Sequence, residues 1–396
     1  MVYQQINLQG IDPLLFGDNR MARLGEDHIL SPQAPSPYTI FGAVGQFLAQ
    51  QLELENLAGW DSNQNIKNCL GEFVDDSTPE NKESMELLGF CYKTATGKYY
   101  FPAPRHLETY ERKDKYYALP LMLPQEKTFI SNCPYPKILK SNDYKRKVET
   151  DFLVSEKTLG EILVGAVSKR RLEVKLYNDI YREEFRSGLA MDNFRNVTKE
   201  AHLFNRPYWR FLWDYAQENP EWTSGGITAW VRLLCDRDLT GTDISFLGGD
   251  RRRAKFVVSD GTKDIPLANL QNKVIANISS TAGFFIYLIT PFPLEQELAQ
   301  FTFLDRTPVA AAIGKPVYIS GWERTRDRSN QHPRPMIWAV PPGSVFFFEW
   351  KNDEQDDENK KQIIMKNWLQ SVASQKYKRF GFGRILMGVW KNGNSN

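Results

Sequence analysis

The chain has 396 residues, of which 41% are hydrophobic and 25% are charged, as in ordinary globular proteins and unlike disordered ones. Its 50 lysines and arginines are nearly balanced by 48 acidic residues, which excludes a polycationic protein. Any surface that binds nucleic acid must therefore be a local patch. Aromatic residues reach 13%, which can serve a large core or supply rings that stack on bases. The length predicts two domains.

Cysteine usage and hydropathy bear on the compartment. Cys69, Cys91, Cys133 and Cys235 are far apart and form no C-x-x-C pair, so free thiols in a reducing compartment are expected rather than a zinc or redox motif. The N-terminus lacks the basic start and apolar core of a signal peptide. The longest apolar run, around 284–289, is far shorter than the roughly 20 residues of a membrane-spanning helix. We therefore expect a cytoplasmic protein with no membrane contact, metal site or cofactor.

The first residues predict a strand followed by a helix. Val2, Ile6 and Leu8 fall on one face of an extended segment. Ser36 is a suitable N-cap and Pro37 suits the first helical turn. The apolar positions that recur at helical spacing after them are Ile40, Val44, Phe47, Leu48 and Leu52.

The remainder is assigned in chain order. Residues 58–150 mix acidic, proline-rich and Lys/Tyr-rich stretches and are interpreted as insertions, with a hairpin around 89–104. Residues 180–205 predict a strand–loop–strand unit. The last third predicts a strand at 282–291, a short helix at 293–301, strands at 314–322 and 336–350, an acidic loop at 352–359, a helix at 363–375 and a final strand.

This β-α-β-β-α-β order is that of a ferredoxin-like unit. We therefore expect an α+β fold with two ferredoxin-like (RRM-like) domains. The first would span residues 1–265 and carry insertions at about 58–150, and the second would span residues 266–396.

The C-terminal glycine-rich segment has the spacing G-x-G-x-x-x-x-G, beginning at Gly381 and Gly383, and is not a dinucleotide fingerprint. Such glycines let backbone N–H groups approach a phosphate chain, although a tight helix-to-strand turn would use them equally well. Residues 361–396 contain seven basic residues and no acidic ones, which favours a polyanion partner over a solvated basic face. The candidate contacts are Lys378, Arg379 and Arg384, with the interleaved rings of Tyr377, Phe380 and Phe382.

Two further segments could contact phosphate. In LGGDRRR (247–253), Arg251 stands where a metal-binding G-G-D-D turn has its second aspartate, so Arg251 and Arg252 suit phosphate instead of two metal ions. A charged hairpin end is the alternative. Arg20 lies in a polar loop before the first helix, and the helix start at Ser36 offers free N–H groups, or simply an N-cap.

The four histidines, His28, His106, His202 and His332, have no metal-ligand spacing. His28 lies in a polar loop and could act as a general base, but a structural or solvated role is the more frequent one for such a residue.

Several segments taken together resemble a known family. They are DPLLFGDNR (12–20), SPQAPSPYTIFGAV (31–44), GLAMDNFRNVTKEAHLF (188–204), FLGGDRRR (246–253), YLITP (287–291), GKPVYISGW (314–322), HPRPMIWAVPPGSVFFFE (332–349) and RFGFGRILMGVW (379–390). Their order is similar to that of the RAMP-superfamily third subunit of the Cmr complex, the type III-B CRISPR RNA-guided effector.

The resemblance implies two ferredoxin-like domains and a non-catalytic subunit in antiviral defence. This subunit would bind the five-prime handle of the guide RNA and contact the large polymerase-like subunit and the backbone RAMP subunits. By position, residues 188–200 would form a protruding hairpin with Arg195 and Lys199 near its tip. The acidic segment 349–358 and the range 58–150 are candidates for the face that docks on the large subunit.

Three alternatives remain. The chain could be a RAMP endoribonuclease that processes guide-RNA precursor with His28. It could be a scaffold that binds mainly proteins, or a RAMP subunit of a related type III effector.

Overall fold

The computed structural model describes most of the chain. The described residues are 2–16, 34–53, 60, 62–72, 83–112, 115–121, 123, 134–140, 151–166, 172–192, 197–214, 223–235, 239–259, 262–323, 332–351, 354 and 356–391.

Short antiparallel strands dominate, with few helices. The helices are α1 (Pro37–Gln51), α2 (Gln64–Leu70), α3 (Glu156–Leu163), α4 (Ala268–Ala276), α5 (Asp357–Asn367) and α6 (Gln375–Lys378). The strands of the first 265 residues are β1 (Tyr3–Gly10), β2 (Glu86–Lys93), β3 (Tyr99–Pro102), β4 (Leu107–Arg112), β5 (Lys115–Pro120), β6 (Phe152–Ser155), β7 (Leu172–Leu176), β8 (Tyr181–Asp192), β9 (Val197–Phe211), β10 (Trp213–Asp214), β11 (Thr223–Ser224), β12 (Gly226–Arg232), β13 (Gly241–Phe246) and β14 (Arg253–Val258). The remaining strands are β15 (Gly283–Leu288), β16 (Phe292–Pro293), β17 (Ala310–Ala312), β18 (Val317–Ile319), β19 (Trp322–Glu323), β20 (His332–Pro333), β21 (Ile337–Val340), β22 (Val345–Glu349) and β23 (Ile385–Trp390). The α+β class is thereby confirmed.

A sheet of ten strands, in the order β13-β14-β1-β12-β2-β3-β6-β7-β5-β4, forms the first half. At its centre, β1 pairs antiparallel with β12 and β14, and β12 pairs with β2. The predicted first strand and the helix starting at Pro37 are confirmed, and the side chains of Ile6, Leu8 and Ile40 are fully buried.

The interpretation of 58–150 as insertions is wrong for part of that range, because β2 is an inner strand of this sheet. All but the last residue of β2 are buried, and residues 87–92 are apolar or glycine on both faces of the strand. The predicted hairpin around 89–104 is present as β2 and β3.

The second half contains a four-stranded sheet, β17-β22-β15-β23, and a three-stranded sheet, β16-β21-β18. Helices α3, α4 and α5 contact β23. The helix predicted at 293–301 is wrong: Pro293 pairs with Ala339 in a strand, and only Leu298–Gln300 form a 3₁₀ turn. Phe292 and Phe301 both enter the core, with ring centroids 5.4 Å apart, and this pairing holds the segment in a conformation other than an α-helix.

The last long helix lies earlier than predicted. It spans Asp357–Asn367 instead of 363–375, so part of the predicted acidic loop is its first turn. Asp356 caps this helix by accepting a hydrogen bond from the Asn359 N–H, and Asp357 and Glu358 follow. Acidic side chains are stabilised by the partial positive charge at a helix N-terminus, which explains the position of this start.

One large hydrophobic core joins the two halves. It contains Leu88, Cys91 and Phe101 from the first half together with Phe284 and Phe285 from the second. The predicted boundary after residue 265 therefore crosses a shared core. Among the described residues, no helix is long and apolar enough to cross a membrane.

Candidate RNA-binding surface

The predicted hairpin is the longest strand pair among the described residues. Its strands β8 and β9 have 12 and 15 residues and pair from Tyr181↔Phe211 to Asp192↔Val197, with a register shift between Leu189 and Met191. Within the range 188–200, residues 188–192 and 197–200 thus belong to the paired strands of a hairpin, and residues 193–196 lie outside the described residues. Lys199 lies on β9 close to the turn, whereas Arg195 lies outside the described residues.

The base of this hairpin is fixed in the core. Trp209 is 1% exposed and stacks on Tyr181 with ring centroids 3.7 Å apart. Its backbone exchanges two hydrogen bonds with Leu14, at 2.7 and 2.8 Å. The base of the hairpin is therefore anchored beside Leu14, shortly after the end of β1.

The arginine turn (residues 247–253) is tied to the same place. The Gly249 N–H donates to the Leu15 carbonyl at 2.8 Å, and Gly248 has φ of +80°, where a Cβ would lie 2.4 Å from the same carbonyl. Asp250 accepts hydrogen bonds from the Tyr208 hydroxyl at 2.8 Å and from Arg206 at 3.1 Å. The turn and the hairpin thus form one unit.

The two arginines predicted in this turn differ in their surroundings. The Arg252 guanidinium lies 4.6 Å from the centre of the Tyr208 ring and donates to its hydroxyl at 3.2 Å. Arg251 is exposed and has φ of +50°. Arg251 is therefore the better placed of the two for a phosphate contact, and Arg252 orients Tyr208.

The start of α1 forms a second group. Ser36 is the N-cap, as predicted, and its hydroxyl accepts a hydrogen bond from the Thr39 N–H at 3.3 Å. Tyr38 packs edge-on against Phe380 and Phe382, with centroid distances of 4.8 and 4.7 Å. The structure thereby brings the helix start to the glycine-rich segment. Arg20, the other candidate near this helix, lies outside the described residues.

The expectation that the glycine-rich segment offers free N–H groups is wrong. Gly381 and Gly383 have φ of +87° and +64°, as a tight turn from α6 into β23 requires. The N–H groups of Gly381, Gly383 and Arg384 donate to Lys378 O, Pro291 O and Thr290 Oγ1 at 3.0, 2.7 and 2.8 Å. These donors stabilise the turn and leave none of the three for a phosphate.

Two of the predicted basic contacts in this segment are buried. Arg384 is 1% exposed and donates to the Leu369 carbonyl at 2.9 Å, the Lys378 carbonyl at 2.8 Å and the Glu86 carboxylate. Arg379 is 8% exposed. The expectation that Arg384 contacts RNA is wrong, because its guanidinium is buried and its hydrogen bonds go to groups inside the protein.

Lys378 is half-buried and its neighbour Lys376 is exposed, so the segment still presents positive charge. The rings expected to stack on bases do not reach solvent. Tyr377, Phe380 and Phe382 are at most 6% exposed and share a small core with Ile319 and Ala339.

His106 does not provide an exposed base. It packs against the rings of Phe285 and Phe347, each 5.6 Å away, and burial lowers its pKa to about 4. His28, the candidate general base, lies outside the described residues. No group of three metal-ligating side chains occurs within the described ranges.

The acidic segment 349–358 makes several contacts within the chain. Glu349 pairs with Lys137 at 2.7 Å, although its side chain remains 52% exposed. Glu354 pairs with Arg306, and Asp356 caps α5. The segment is therefore largely committed to the fold, which weakens the expectation that it is a docking face.

Sequence patterns do not single out Tyr208, which links the hairpin to the arginine turn. Tyr208 and Trp209 are adjacent on β9 and point to opposite faces, so one side chain reaches the arginine turn and the other the core.

The comparison with known families is decisive. The model of the family described as CRISPR-associated protein (Cas_Cmr3) matches residues 6–390. The chain belongs to this family. The resemblance found in the sequence is thereby confirmed.

No curated protein matches the chain. Among the solved structures that are similar to the chain are two with 17% identity each. One is a cryo-EM structure of the Type III-B Cmr-beta bound to cognate target RNA, with a TM-score of 0.47, covering 96% of both chains. The other is of the Type III-B Cmr-beta bound to cognate target RNA and AMPPnP, state 1, with a TM-score of 0.45, covering 96% of this chain and 95% of that one.

Proposed function

We propose that this chain is a non-catalytic subunit of a type III-B CRISPR effector complex and binds the five-prime handle of the guide RNA in antiviral defence. The observation that carries the proposal is the family match, which extends over nearly the whole chain. The hairpin with its fixed base and the basic residues beside it supply a physical means of holding a polyanion.

The proposed RNA surface has two parts. The first is the hairpin with the arginine turn, where Arg251 is exposed and Lys199 lies on β9 close to the turn; Arg195 is included on the family resemblance alone. The second is the helix α6, with Lys376 and Lys378. Phosphate contacts of this kind position RNA without reading its sequence.

Both halves are proposed to be ferredoxin-like units. In the first half, the four neighbouring strands β14-β1-β12-β2 are, in that sheet order, the fourth, first, third and second of the four along the sequence. In the second half, the neighbouring strands β17-β22-β15-β23 are, in sheet order, the second, third, first and fourth along the sequence. The two sheets therefore have the same order, read from opposite ends, which supports the proposal.

The protein is further proposed to dock on the large polymerase-like subunit and on the backbone RAMP subunits. Exposed apolar side chains on the outer strand of the ten-stranded sheet suit such contacts: Ile244 is 54% and Phe246 44% exposed. The double variant Ile244→Ser/Phe246→Ser, which adds no charge beside the arginine turn, should lose co-purification with the large subunit while its RNA affinity changes little. Unchanged co-purification of the variant with the large subunit would show that these two side chains are not part of the docking face.

RNA binding is tested with the full chain and a labelled handle RNA over a range of salt concentrations. Arg251→Ala and Lys378→Ala should each weaken binding and lower the slope of log K against log salt by about 0.7. The matched control is Lys263→Ala, an exposed lysine before α4 and outside both surfaces. Unchanged slopes in both variants would contradict the proposed surface.

The endoribonuclease alternative is tested by incubation with guide-RNA precursor and a divalent metal. Intact RNA is the expected result. Cleavage that His28→Ala abolishes would favour the enzyme.

A further inference from the structure

One face of the hairpin stem consists mainly of arginines. Residues that lie directly opposite each other in an antiparallel pair share a face, and so do alternate residues along a strand. On the face that includes Tyr208, the opposing pairs in order along β8 are Arg182↔Arg210, Glu184↔Tyr208 and Arg186↔Arg206. We call the four arginines of these pairs the hairpin arginine face.

Glu184 and Tyr208 hold guanidiniums of this face in place. The Glu184 carboxylate accepts hydrogen bonds from Arg186 Nε at 2.7 Å on one oxygen and from Arg210 Nε at 2.5 Å on the other. The Arg186 guanidinium also lies 5.5 Å from the centre of the Tyr208 ring. The side chains of Arg186 and Arg210 nevertheless remain 40% and 44% exposed. One carboxylate therefore orders two guanidiniums, and both can still bind a further anion because each guanidinium has five N–H donors.

The net charge of this surface is positive. Asp250 of the arginine turn is a second carboxylate bound to the face, and it accepts a hydrogen bond from Arg206 at 3.1 Å. Within the described ranges, the four arginines are thus balanced by only two carboxylates. Arg182 is exposed, and so is Arg251, the residue after Asp250. Glu183 belongs to the opposite face of β8, since successive side chains of a strand alternate. The hairpin arginine face therefore attracts a polyanion.

The chemistry of the face favours a phosphate chain over a protein surface. The core of a protein interface is depleted of charged side chains and enriched in aromatic ones. On the described part of this face the one ring, that of Tyr208, is 4% exposed. Phe185, which is 61% exposed, lies on the opposite face of the stem. Planar guanidiniums bind two phosphate oxygens at once, so a row of arginines suits the backbone of a nucleic acid.

We propose that the hairpin arginine face is a track for the sugar–phosphate backbone of RNA and contacts no base. This inference rests on the proposed function and extends its RNA surface from the arginine turn along the hairpin stem. Phosphate contacts hold a nucleic acid without reading its sequence, and the buried Tyr208 ring offers no stacking platform. Binding at this face is therefore the same whether or not the RNA carries bases.

The test uses the full chain and two labelled probes of equal length, oligouridylate and an abasic ribose-phosphate chain. Arg182→Ala/Arg210→Ala removes one opposing pair of the face and should weaken binding of both probes by the same factor. The slope of log K against log salt should fall by about 1.4 for each probe, because each phosphate contact on a single strand contributes about 0.7. Arg182→Lys/Arg210→Lys keeps both charges and should keep most of the slope.

Neutralising Glu184 should change the affinity in the opposite direction. Glu184→Gln should tighten binding of both probes at low salt by about 5-fold, the effect of removing one unit charge about 4 Å from a phosphate in water. Glu183→Gln is the matched control, because it removes the same charge one residue away on the opposite face, and its effect should be clearly smaller. Phe185→Ser, on that opposite face, should leave both affinities unchanged.

A measurement on the wild-type protein does not depend on the folding of variants. Phenylglyoxal modifies exposed arginines, and bound oligouridylate should protect Arg182 and Arg210 from it, as read by mass spectrometry. Unchanged modification of both arginines in the complex, or equal salt slopes of the double alanine variant and the wild type, would overturn the track.

Two further outcomes would also overturn it. A loss of affinity confined to oligouridylate would indicate base contacts. A double alanine variant that binds RNA normally but loses the large subunit would make the face a protein contact. If the wild-type chain binds neither probe and no handle RNA, the proposed function fails together with the track.

Discussion

Replacing Glu86 by glutamine tests the buried ion pair that joins the two halves. Glu86 is 4% exposed, and its two carboxylate oxygens accept hydrogen bonds from Arg384 and Arg232. Burial lowers the pKa of Arg384, and Glu86 opposes that effect. Glu86→Gln keeps the volume but removes the charge that compensates a guanidinium with 1% exposure. Breaking such a pair costs about 3–5 kcal/mol, a large share of the roughly 5–15 kcal/mol of a typical fold.

The assay is urea unfolding of the full chain, followed by circular dichroism. Arg232→Gln is the matched control, because its side chain is 34% exposed and Glu86 keeps Arg384; its expected cost is at most about 1 kcal/mol. The double variant Glu86→Gln/Arg384→Met should be more stable than Glu86→Gln alone, since no charge is then left buried. A Glu86→Gln protein no less stable than Arg232→Gln would refute the reasoning.

The remaining predictions concern one titrating group and two turns. Burial lowers the pKa of His106 to about 4 in the folded protein, whereas the same side chain has a pKa of roughly 6.5 in the unfolded chain. Between pH 6.5 and 4 the unfolded state therefore binds more protons than the folded state. Folding stability consequently falls as the pH drops through this range. His106→Gln should remove up to about 3 kcal/mol of that fall, as measured by urea midpoints at pH 7 and 4.5; identical losses in both proteins would contradict this. Gly248→Ala places a Cβ 2.4 Å from a backbone carbonyl, whereas Gly97→Ala, also at positive φ (+81°), meets nothing within 4 Å. Both variants should lose about 1–2 kcal/mol of unfolding free energy, because alanine disfavours the left-handed backbone. Gly248→Ala should lose more than this because of its clash with the carbonyl. Equal melting temperatures of the two variants would show that the arginine turn relaxes without cost. Tyr208→Phe removes a hydroxyl that donates to Asp250 at 2.8 Å and should cost about 1 kcal/mol and speed amide exchange in residues 249–253; unchanged exchange would separate the hairpin from the arginine turn.

Helix α1 could be predicted from sequence because local and long-range requirements agree there. Ser36 and Pro37 define its start, and the apolar stripe that begins at Ile40 is the stripe that packs on the sheet. The first strand was predictable for the same reason. In both places, periodicity alone gives the buried face.

The glycine-rich segment shows where sequence reasoning fails. A run of basic residues predicts a solvent-facing or phosphate-facing surface, yet Arg384 is buried because Glu86, 298 residues away in the chain, lies opposite it. One signal was available: the six residues from Ile385 to Trp390 are apolar or glycine and buried on both faces, so the residue preceding them also lies deep in the protein. The partner of that arginine could not be found without the fold.

The pairing of β1 has a consequence for synthesis of the protein on the ribosome. Asn7 on β1 meets Thr228 on β12, and 221 residues separate them in sequence. At about 5–20 residues per second, the first strand waits roughly 10–45 s for its neighbour. During that time the apolar side chains of Ile6 and Leu8 have no sheet to cover them. The nascent chain therefore carries β1 as an unpaired, aggregation-prone strand until β12 has emerged.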